Sequence, residues 1–248
     1  MNMFCYQCEQ TAKGTGCTAH GVCGKDPETA ALQDLLIHTA EGVSQYAHRA
    51  RALGATSRAA DLFVVEALFA TVTNVDFDAR RVAELIRYGA AVRDEVGQAY
   101  RAACRKAGRQ PQSLANDAAI EPAGDLDEMI RQGEAVTIQK RVDALGEDVA
   151  GLQELITYGL KGMAAYVDHA HVLGTEDDAV YAFIHEAMDF LAGNPSDVDA
   201  LVTMALRVGE VNLKAMGMLD AANTGAYGHP EPTQVRVTPR EGKCIVVS

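Results

Sequence analysis

The stretch ETAALQDLLIHTAEGVSQYAHRARALG, residues 28–54, decides the fold class of this 248-residue chain. Its apolar residues recur at helical spacing along its whole length, which predicts one long amphipathic helix. Asp26, Pro27 and Glu28 have the pattern of a helix start: a capping acid, a proline tolerated in the first turn, and an acid favoured by the helix dipole. Gly54 is a typical C-terminal stop. The chain therefore begins its folded body with a helix.

The sequence then repeats this helix and the segments that follow it. Further apolar segments cover about 58–73 and the stretch after Asn74 to about Gly108. A shift of 120 residues aligns 32–92 with 152–212 without a gap and gives 16 identities in 61 positions. The identities include Gly, Tyr, Asn and Arg, which shared helical composition does not explain. The repeat predicts a mainly α fold with two tandem three-helix bundles.

Composition changes divide the rest of the chain. Residues 1–26 are a cysteine-rich loop, 27–112 the first bundle, 113–144 a polar connector broken by Pro and Gly, and 145–222 the second bundle. In 223–248, a Gly- and Pro-rich linker leads into residues 243–248, whose continuous apolar run CIVV predicts a strand buried on both faces. Because one such strand cannot be stable alone, we expect it to begin an α/β domain or to pair with another chain.

Charge and hydropathy exclude several classes of function. The net charge is −12, with no basic stripe, which argues against binding to nucleic acid or to a membrane surface. No stretch approaches the roughly 20 apolar residues of a membrane span, and the N-terminus lacks an export signal. A cytoplasmic location is the expectation, and it makes disulfides less favoured than metal binding or redox chemistry.

Four of the six cysteines lie in the N-terminal loop with the spacing Cys5-x2-Cys8-x8-Cys17-x5-Cys23. Structural zinc sites draw on two short Cys knuckles, and only the first pair has that spacing. An iron–sulfur cluster spans more space and tolerates unequal spacing around a loop. The glycines of the loop let the backbone fold closely around inorganic sulfur and direct N–H donors at it. Chemistry alone favours iron–sulfur over zinc and leaves both open.

Three segments resemble one known family: MFCYQCEQTAKGTGCTAHGVCGKDPETAALQDLL, LITYGLKGMAAYVDHAHVLG and MLDAANTGAYGHPEPTQVRV. They are similar to the hybrid cluster proteins, also called prismane proteins or hydroxylamine reductases, across essentially the whole chain. The resemblance implies that Cys5, Cys8, Cys17 and Cys23 hold one 4Fe-4S cluster. It also implies a first domain made of two three-helix bundles, in agreement with the repeat.

The family implies more than this chain contains. Its enzymes reduce hydroxylamine to ammonia with two electrons, and a nitric oxide reductase activity has been proposed too. The reaction takes place at a hybrid Fe-S-O cluster held by one His, two Glu and four Cys in two further α/β domains. The resemblance therefore implies an electron-transfer domain whose catalytic domains are absent, or reside in a second chain, and whose donor is a small redox protein. The alternative is a zinc-stapled helical interaction module without a redox role.

Other candidate residues have simpler interpretations. Tyr6 and Gln7 lie between the first two cysteines and are expected to shield the metal site. His169 and His171 are two positions apart, which does not place them on one helix face, so a capping or hydrogen-bonded role is favoured over a metal site. Cys104 is expected to be an isolated structural or surface thiol, and Cys244 a small apolar strand residue.

Overall fold

A computed structural model describes residues 3–8, 12–72, 75–114, 116–238 and 241–243 of the chain. Within these ranges the protein is mainly α-helical, which confirms the predicted fold class. The predicted strand at 243–248 lies, apart from Lys243, outside the described residues. The helices are α1 (Pro27–Arg51), α2 (Arg58–Ala70), α3 (Ala79–Lys106), α4 (Leu126–Glu134), α5 (Ile138–Leu145), α6 (Glu147–Val172), α7 (Asp178–Ala192) and α8 (Val198–Tyr227).

The ends of α1 follow the sequence signals. The Asp26 side chain accepts a hydrogen bond from the Thr29 N–H at 2.7 Å, and Pro27 occupies the first helical position. Gly54 follows the end of the helix with φ +77°, a left-handed backbone conformation that residues other than glycine adopt only at an energetic cost. Gly174 has the same φ after α6, so the two repeated helices end in the same turn.

The sequence repeat is a structural repeat. Helices α6, α7 and α8 begin 120, 120 and 119 residues after α1, α2 and α3, respectively. A paired amide fixes the same loop in both units: Gln33 Nε2 donates to the Asp76 carbonyl at 2.7 Å, and Gln153 Nε2 donates to the Pro195 carbonyl at 2.9 Å. The two units therefore share local contacts as well as the spacing of their helices.

The two units exchange their middle helices. Helix α1 packs against α3 of its own unit and also extensively against α7 of the other, while α2 packs against α6. One hydrophobic core consequently runs through both units instead of a separate core inside each. Fully buried side chains from both units contribute to it, including Leu32, Leu35, Phe63, Leu68, Ile86, Ile156, Leu160, Met163, Tyr181 and Ile184.

The connector packs against α1. A 3-10 turn (Asn116–Ala119) lies beside Gly42, and α4 lies so close to α1 that a Cβ on Gly133 would come under 3.0 Å from the Ala31 backbone. Helix α8 extends to Tyr227, beyond the expected end of the second bundle at residue 222. None of the helices in the described ranges has the length and apolar character needed to cross a membrane.

Candidate metal centre in the N-terminal loop

The loop brings cysteines that are distant in sequence next to each other. The Cys5 N–H donates to the Cys17 carbonyl at 3.0 Å, and the Cys17 N–H donates back to the Cys5 carbonyl at 2.7 Å. A further bond from the Met3 N–H to the Thr18 carbonyl, at 3.1 Å, extends this antiparallel pairing. The pairing closes the loop that carries Cys8, so the first three cysteines belong to one compact unit.

Two glycines make this loop possible. Gly16 has φ +142°, and a Cβ there would lie 3.2 Å from one atom of the Phe4 ring and closer to another. A Cβ on Gly21 would lie 3.1 Å from the Cys23 sulfur. A side chain at either position would therefore distort the packing around a cysteine-bearing strand or crowd a thiol directly.

The thiols differ in their exposure to solvent. Cys17 is buried, Cys5 and Cys8 are half-buried, and Cys23 is exposed. The Cys17 sulfur also accepts a hydrogen bond from the Ala12 N–H at 3.4 Å. Four thiols on one glycine-containing loop, one of them within reach of a backbone N–H, fit the donor set and outer-shell hydrogen bonding of an iron–sulfur cluster.

Helix α6 fixes the loop to the helical body. The Tyr6 hydroxyl donates to Glu154 at 2.9 Å, and the Tyr158 hydroxyl donates to the Gln7 carbonyl at 2.8 Å. Glu154 and Tyr158 are four residues apart and so share one helix face. Glu154 is buried and also pairs with Arg141 of α5. Tyr6 and Gln7 therefore anchor the cysteine loop to the second unit, a role that sequence reasoning missed.

A polar cavity of about 450 Å³ lies behind the loop, with Cys5 in its wall. The cavity is formed by α1 on one side, and by α5, α6 and the end of α7 on the other. Its lining is rich in ionisable groups of both signs: Lys25, Asp34, His38, Glu41, Asp117, Lys140, Arg141, Glu154 and Lys161. Such a concentration of charged side chains around one cavity is typical of a functional site.

Desolvation shifts several pKa values in this cavity. It raises the pKa of Asp34 to about 7, a rise that the nearby Lys161 ammonium partly offsets. It lowers the pKa of Lys161 to about 8, against the opposing effect of Glu154 and Asp34. Burial and the neighbouring Glu154 carboxylate raise the pKa of the Tyr6 hydroxyl. Tyr6 thus remains a neutral hydrogen-bond donor to Glu154 throughout the physiological range.

A compact group of three side chains stands on the α1 wall of the cavity. His38 Nε2 lies 2.9 Å from an Asp117 carboxylate oxygen, and His38 Nδ1 lies 3.2 Å from a Glu41 carboxylate oxygen. Burial lowers the pKa of His38, but the hydrogen bonds to Asp117 and Glu41 outweigh it and raise that pKa to about 9. The i, i+3 spacing of His38 and Glu41 was a visible signal, whereas nothing in the sequence placed Asp117 beside them.

A separate polar array crosses the core. Ser44 Oγ lies 3.0 Å from His185 Nδ1, and His185 Nε2 lies 2.9 Å from Asp61, which also accepts from Arg51 at 2.6 Å. The order Ser–His–Asp is that of a nucleophilic triad, but none of the three residues is more than 5% exposed. The array therefore joins α1, α2 and α7 within the core and presents no nucleophile at a surface.

Sequence comparison identifies the family. The profile of the Prismane/CO dehydrogenase family matches residues 3–248. The chain belongs to this family. Membership of the prismane family carries the general expectation of iron–sulfur cofactors, and all four loop cysteines lie inside the matched region.

Relatives in this family carry the name hydroxylamine reductase. The chain is 50% identical to the protein of Rhodospirillum rubrum over 246 residues, 47% identical to that of Acidithiobacillus ferrooxidans over 250 residues, and 45% identical to that of Methanocella arvoryzae over 246 residues. Each alignment covers 99% of this chain and 45% of the relative. The chain thus spans about half the length of these prismane-family proteins.

The remaining candidates lie apart from the cysteine loop. Cys104 is buried in a small cluster with Ala50 and Tyr100 near the end of α3. His171 Nδ1 lies 2.6 Å from Glu176, which fits a hydrogen-bonded role, and His169 packs edge-on against Phe69 with 5.4 Å between ring centroids. Cys244 is outside the described residues. None of Cys104, His169 and His171 lines the cavity behind the cysteine loop of this prismane-family chain.

Proposed function

We propose that this chain is the electron-transfer part of a hydroxylamine reductase of the hybrid cluster type. In this proposal Cys5, Cys8, Cys17 and Cys23 hold one 4Fe-4S cluster as thiolates, and the cluster supplies one-electron transfer. The electrons serve the two-electron reduction of hydroxylamine to ammonia, or the reduction of nitric oxide. That chemistry belongs to a hybrid Fe-S-O cluster in domains that this sequence does not include.

The cysteine loop carries the proposal. Its four thiols lie on one loop, the Cys17 sulfur has a backbone N–H donor, and Tyr6 anchors the loop to the buried Glu154. Electron transfer needs redox centres at fixed positions, and a loop tied to two helical units meets that need. The relatives that share the sequence carry the name hydroxylamine reductase, which supports the choice of reaction.

The loop has an outer and an inner side. Cys23 and the neighbouring Val22 are exposed, and they form the side that an external electron donor can reach. Cys17 is buried, and Cys5 borders the polar cavity. We therefore assign the donor, a small redox protein of the cytoplasm, to the Cys23 side. On the inner side, the buried Cys17 is shielded from bulk water.

Helix α8 offers a surface for the further domains. Six of its large apolar side chains are exposed, and at 100° per residue they fall within an arc of about 80°. The helix has 30 residues, so this stripe runs along a length of about 45 Å. We assign it to the part of the relatives that this chain does not cover. The six residues are Val198, Val202, Leu206, Leu213, Met216 and Tyr227.

Absorbance spectroscopy on anaerobically purified protein tests the cluster. We expect a brown protein with a broad visible band that dithionite bleaches, because thiolate-ligated iron absorbs there and zinc does not. The Cys17→Ser variant should lose the band, and the matched Cys104→Ser variant, which removes a buried thiol near the end of α3, should retain it. A colourless protein with one zinc ion per chain would instead support the zinc-stapled interaction module.

Turnover assays test whether this chain transfers electrons while other domains reduce hydroxylamine. The isolated chain with reduced methyl viologen should not consume hydroxylamine, since the proposed reaction centre lies in other domains. Addition of a polypeptide that carries those domains should restore turnover, and Leu206→Asp on the α8 stripe should weaken that reconstitution. Hydroxylamine reduction by the isolated chain, abolished by Cys17→Ser, would contradict the assignment.

A further inference from the structure

His38, Glu41 and Asp117 bring three metal-binding groups together at one point of the cavity wall. Their ligand atoms, one imidazole nitrogen and two carboxylate oxygens, all lie within 4.8 Å of one another. Protein atoms that bind one divalent ion at about 2.1 Å lie at most about 4.2 Å apart. Side-chain movements that bring the ligand atoms closer by roughly half an ångström would therefore let all three residues bind the same ion.

The backbone of the 3-10 turn at 116–119 brings Asp117 next to His38 and Glu41. Asp117 reaches α1 only because the 3-10 turn at 116–119 lies directly on Gly42, where a Cβ would come under 3.0 Å from the Asp117 backbone. Gly42 follows Glu41 in the chain, so the same close approach sets the two carboxylates side by side. In the second unit the repeat places Tyr158 and Lys161 at the positions of His38 and Glu41. The group is thus specific to the first unit and is not a by-product of the repeat.

We propose that His38, Glu41 and Asp117 form a binding site for one first-row divalent transition-metal ion, separate from the four cysteines. One imidazole and two carboxylates suit ions such as Mn²⁺ and Fe²⁺, which accept both nitrogen and oxygen ligands. Mg²⁺ and Ca²⁺ are less favoured because they prefer oxygen ligands alone. The ion would hold the connector turn against α1 at the back of the cavity.

The cavity beside the three side chains can supply the remaining ligands of the ion. The site opens into a cavity of about 450 Å³, and a water molecule occupies about 30 Å³ in the liquid, so water ligands can complete the coordination. Each His38 nitrogen has a carboxylate within 3.2 Å, so a carboxylate ligand lies beside whichever nitrogen gives up its proton to the solvent and binds the ion.

Binding of Mn²⁺ to the cluster-loaded protein tests the proposal. Mn²⁺ is the probe because the cysteine thiols compete poorly for it, unlike for zinc. We expect the electron paramagnetic resonance signal of free Mn²⁺ to disappear up to one equivalent per chain. Nitrogen hyperfine coupling on the bound ion should identify the imidazole, and it should be absent in His38→Gln. Because this readout does not use the cluster, its result is independent of the proposed electron-transfer function.

Isosteric variants provide the controls. Asp117→Asn and Glu41→Gln should each weaken Mn²⁺ binding at least tenfold while retaining the helical circular dichroism of the parent. Glu66→Gln removes the same charge from an exposed ion pair with Arg81 and should leave binding unchanged. Failure of the parent to bind Mn²⁺ at millimolar concentration would overturn the proposal. Mn²⁺ binding without nitrogen hyperfine coupling would also overturn the proposal, as would a Glu66→Gln variant that binds Mn²⁺ as weakly as Asp117→Asn and Glu41→Gln. In those cases the group is an ion-paired histidine only.

Discussion

Replacement of Gly42 by alanine tests how the connector is seated on α1. A Cβ at this position would come under 3.0 Å from the backbone oxygen of Asp117 and 2.9 Å from its carbonyl carbon. Backbone atoms of a packed turn cannot move aside as the end of a flexible side chain can. The sequence repeat supplies a matched control in Gly162, which has the same position in α6 and where an added Cβ would meet nothing within 4 Å.

The magnitudes follow from two opposing effects. Alanine is favoured over glycine inside a helix by about 0.8–1.0 kcal/mol, and this gain applies to both positions. Overpacking typically costs about 1–3 kcal/mol, and this loss applies to Gly42 alone. Gly162→Ala should therefore raise the free energy of unfolding by about 1 kcal/mol. The free energy of unfolding of Gly42→Ala should be about 1–3 kcal/mol lower than that of Gly162→Ala, because the gain in helix propensity is the same in both variants and cancels.

Thermal and urea unfolding, followed by circular dichroism, measure this difference. For a chain of this size about 2–4 °C in Tm corresponds to 1 kcal/mol, so the two variants should differ by about 2–12 °C. Gly42→Ala should also weaken Mn²⁺ binding, because the displaced turn carries Asp117. Equal stability of the two alanine variants would refute the close approach of the connector to α1, and with it the geometry of the His38 group.

Three further predictions address the buried polar groups. Asp61→Asn, which leaves the buried array without its carboxylate, should cost about 3–5 kcal/mol in urea unfolding, whereas Glu66→Gln on the same helix should cost about 0–1 kcal/mol; similar losses would contradict the buried array. In metal-free buffer, folding raises the pKa of His38 from about 6.5 to about 9, so its stabilisation is complete below about pH 6.5 and is lost as the pH rises through 9. This loss is at most about 3 kcal/mol, and stability curves that stay parallel for the parent and His38→Gln over that range would contradict it. Tyr6→Phe should speed loss of the visible band in air more than Tyr158→Phe, because Tyr6 bonds the buried Glu154 and Tyr158 is 40% exposed; the reverse order would refute the anchoring role.

The sequence predicted the local features of this fold well. Asp26, Pro27 and Gly54 marked the ends of α1, and the structure places a cap, a first turn and a left-handed stop at these residues. The 120-residue repeat predicted a second set of three helices, and these helices begin 119–120 residues after their counterparts in the first unit. These features depend on neighbouring residues and on periodicity, which a single sequence displays directly.

The tertiary arrangement was less accessible. Periodicity shows which face of a helix is apolar but not which helix covers that face, so the exchange of α2 and α7 between units could not be predicted. The repeat also treated Gly42 and Gly162 as equivalent, although only Gly42 meets the connector. Asp117 lies in an irregular polar stretch, and its contact with His38 depends on how that stretch folds back. The assignment of the four cysteines to one cluster stays a prediction from spacing and family resemblance.

Metal and sulfide content of the anaerobically purified chain tests the central claim most directly. The account predicts four iron atoms and four acid-labile sulfides per chain, both lost together in Cys17→Ser and both retained in Cys104→Ser. After dithionite reduction, an electron paramagnetic resonance signal integrating to one spin per chain should accompany them. One zinc ion per chain, with neither iron nor sulfide, would contradict the electron-transfer function.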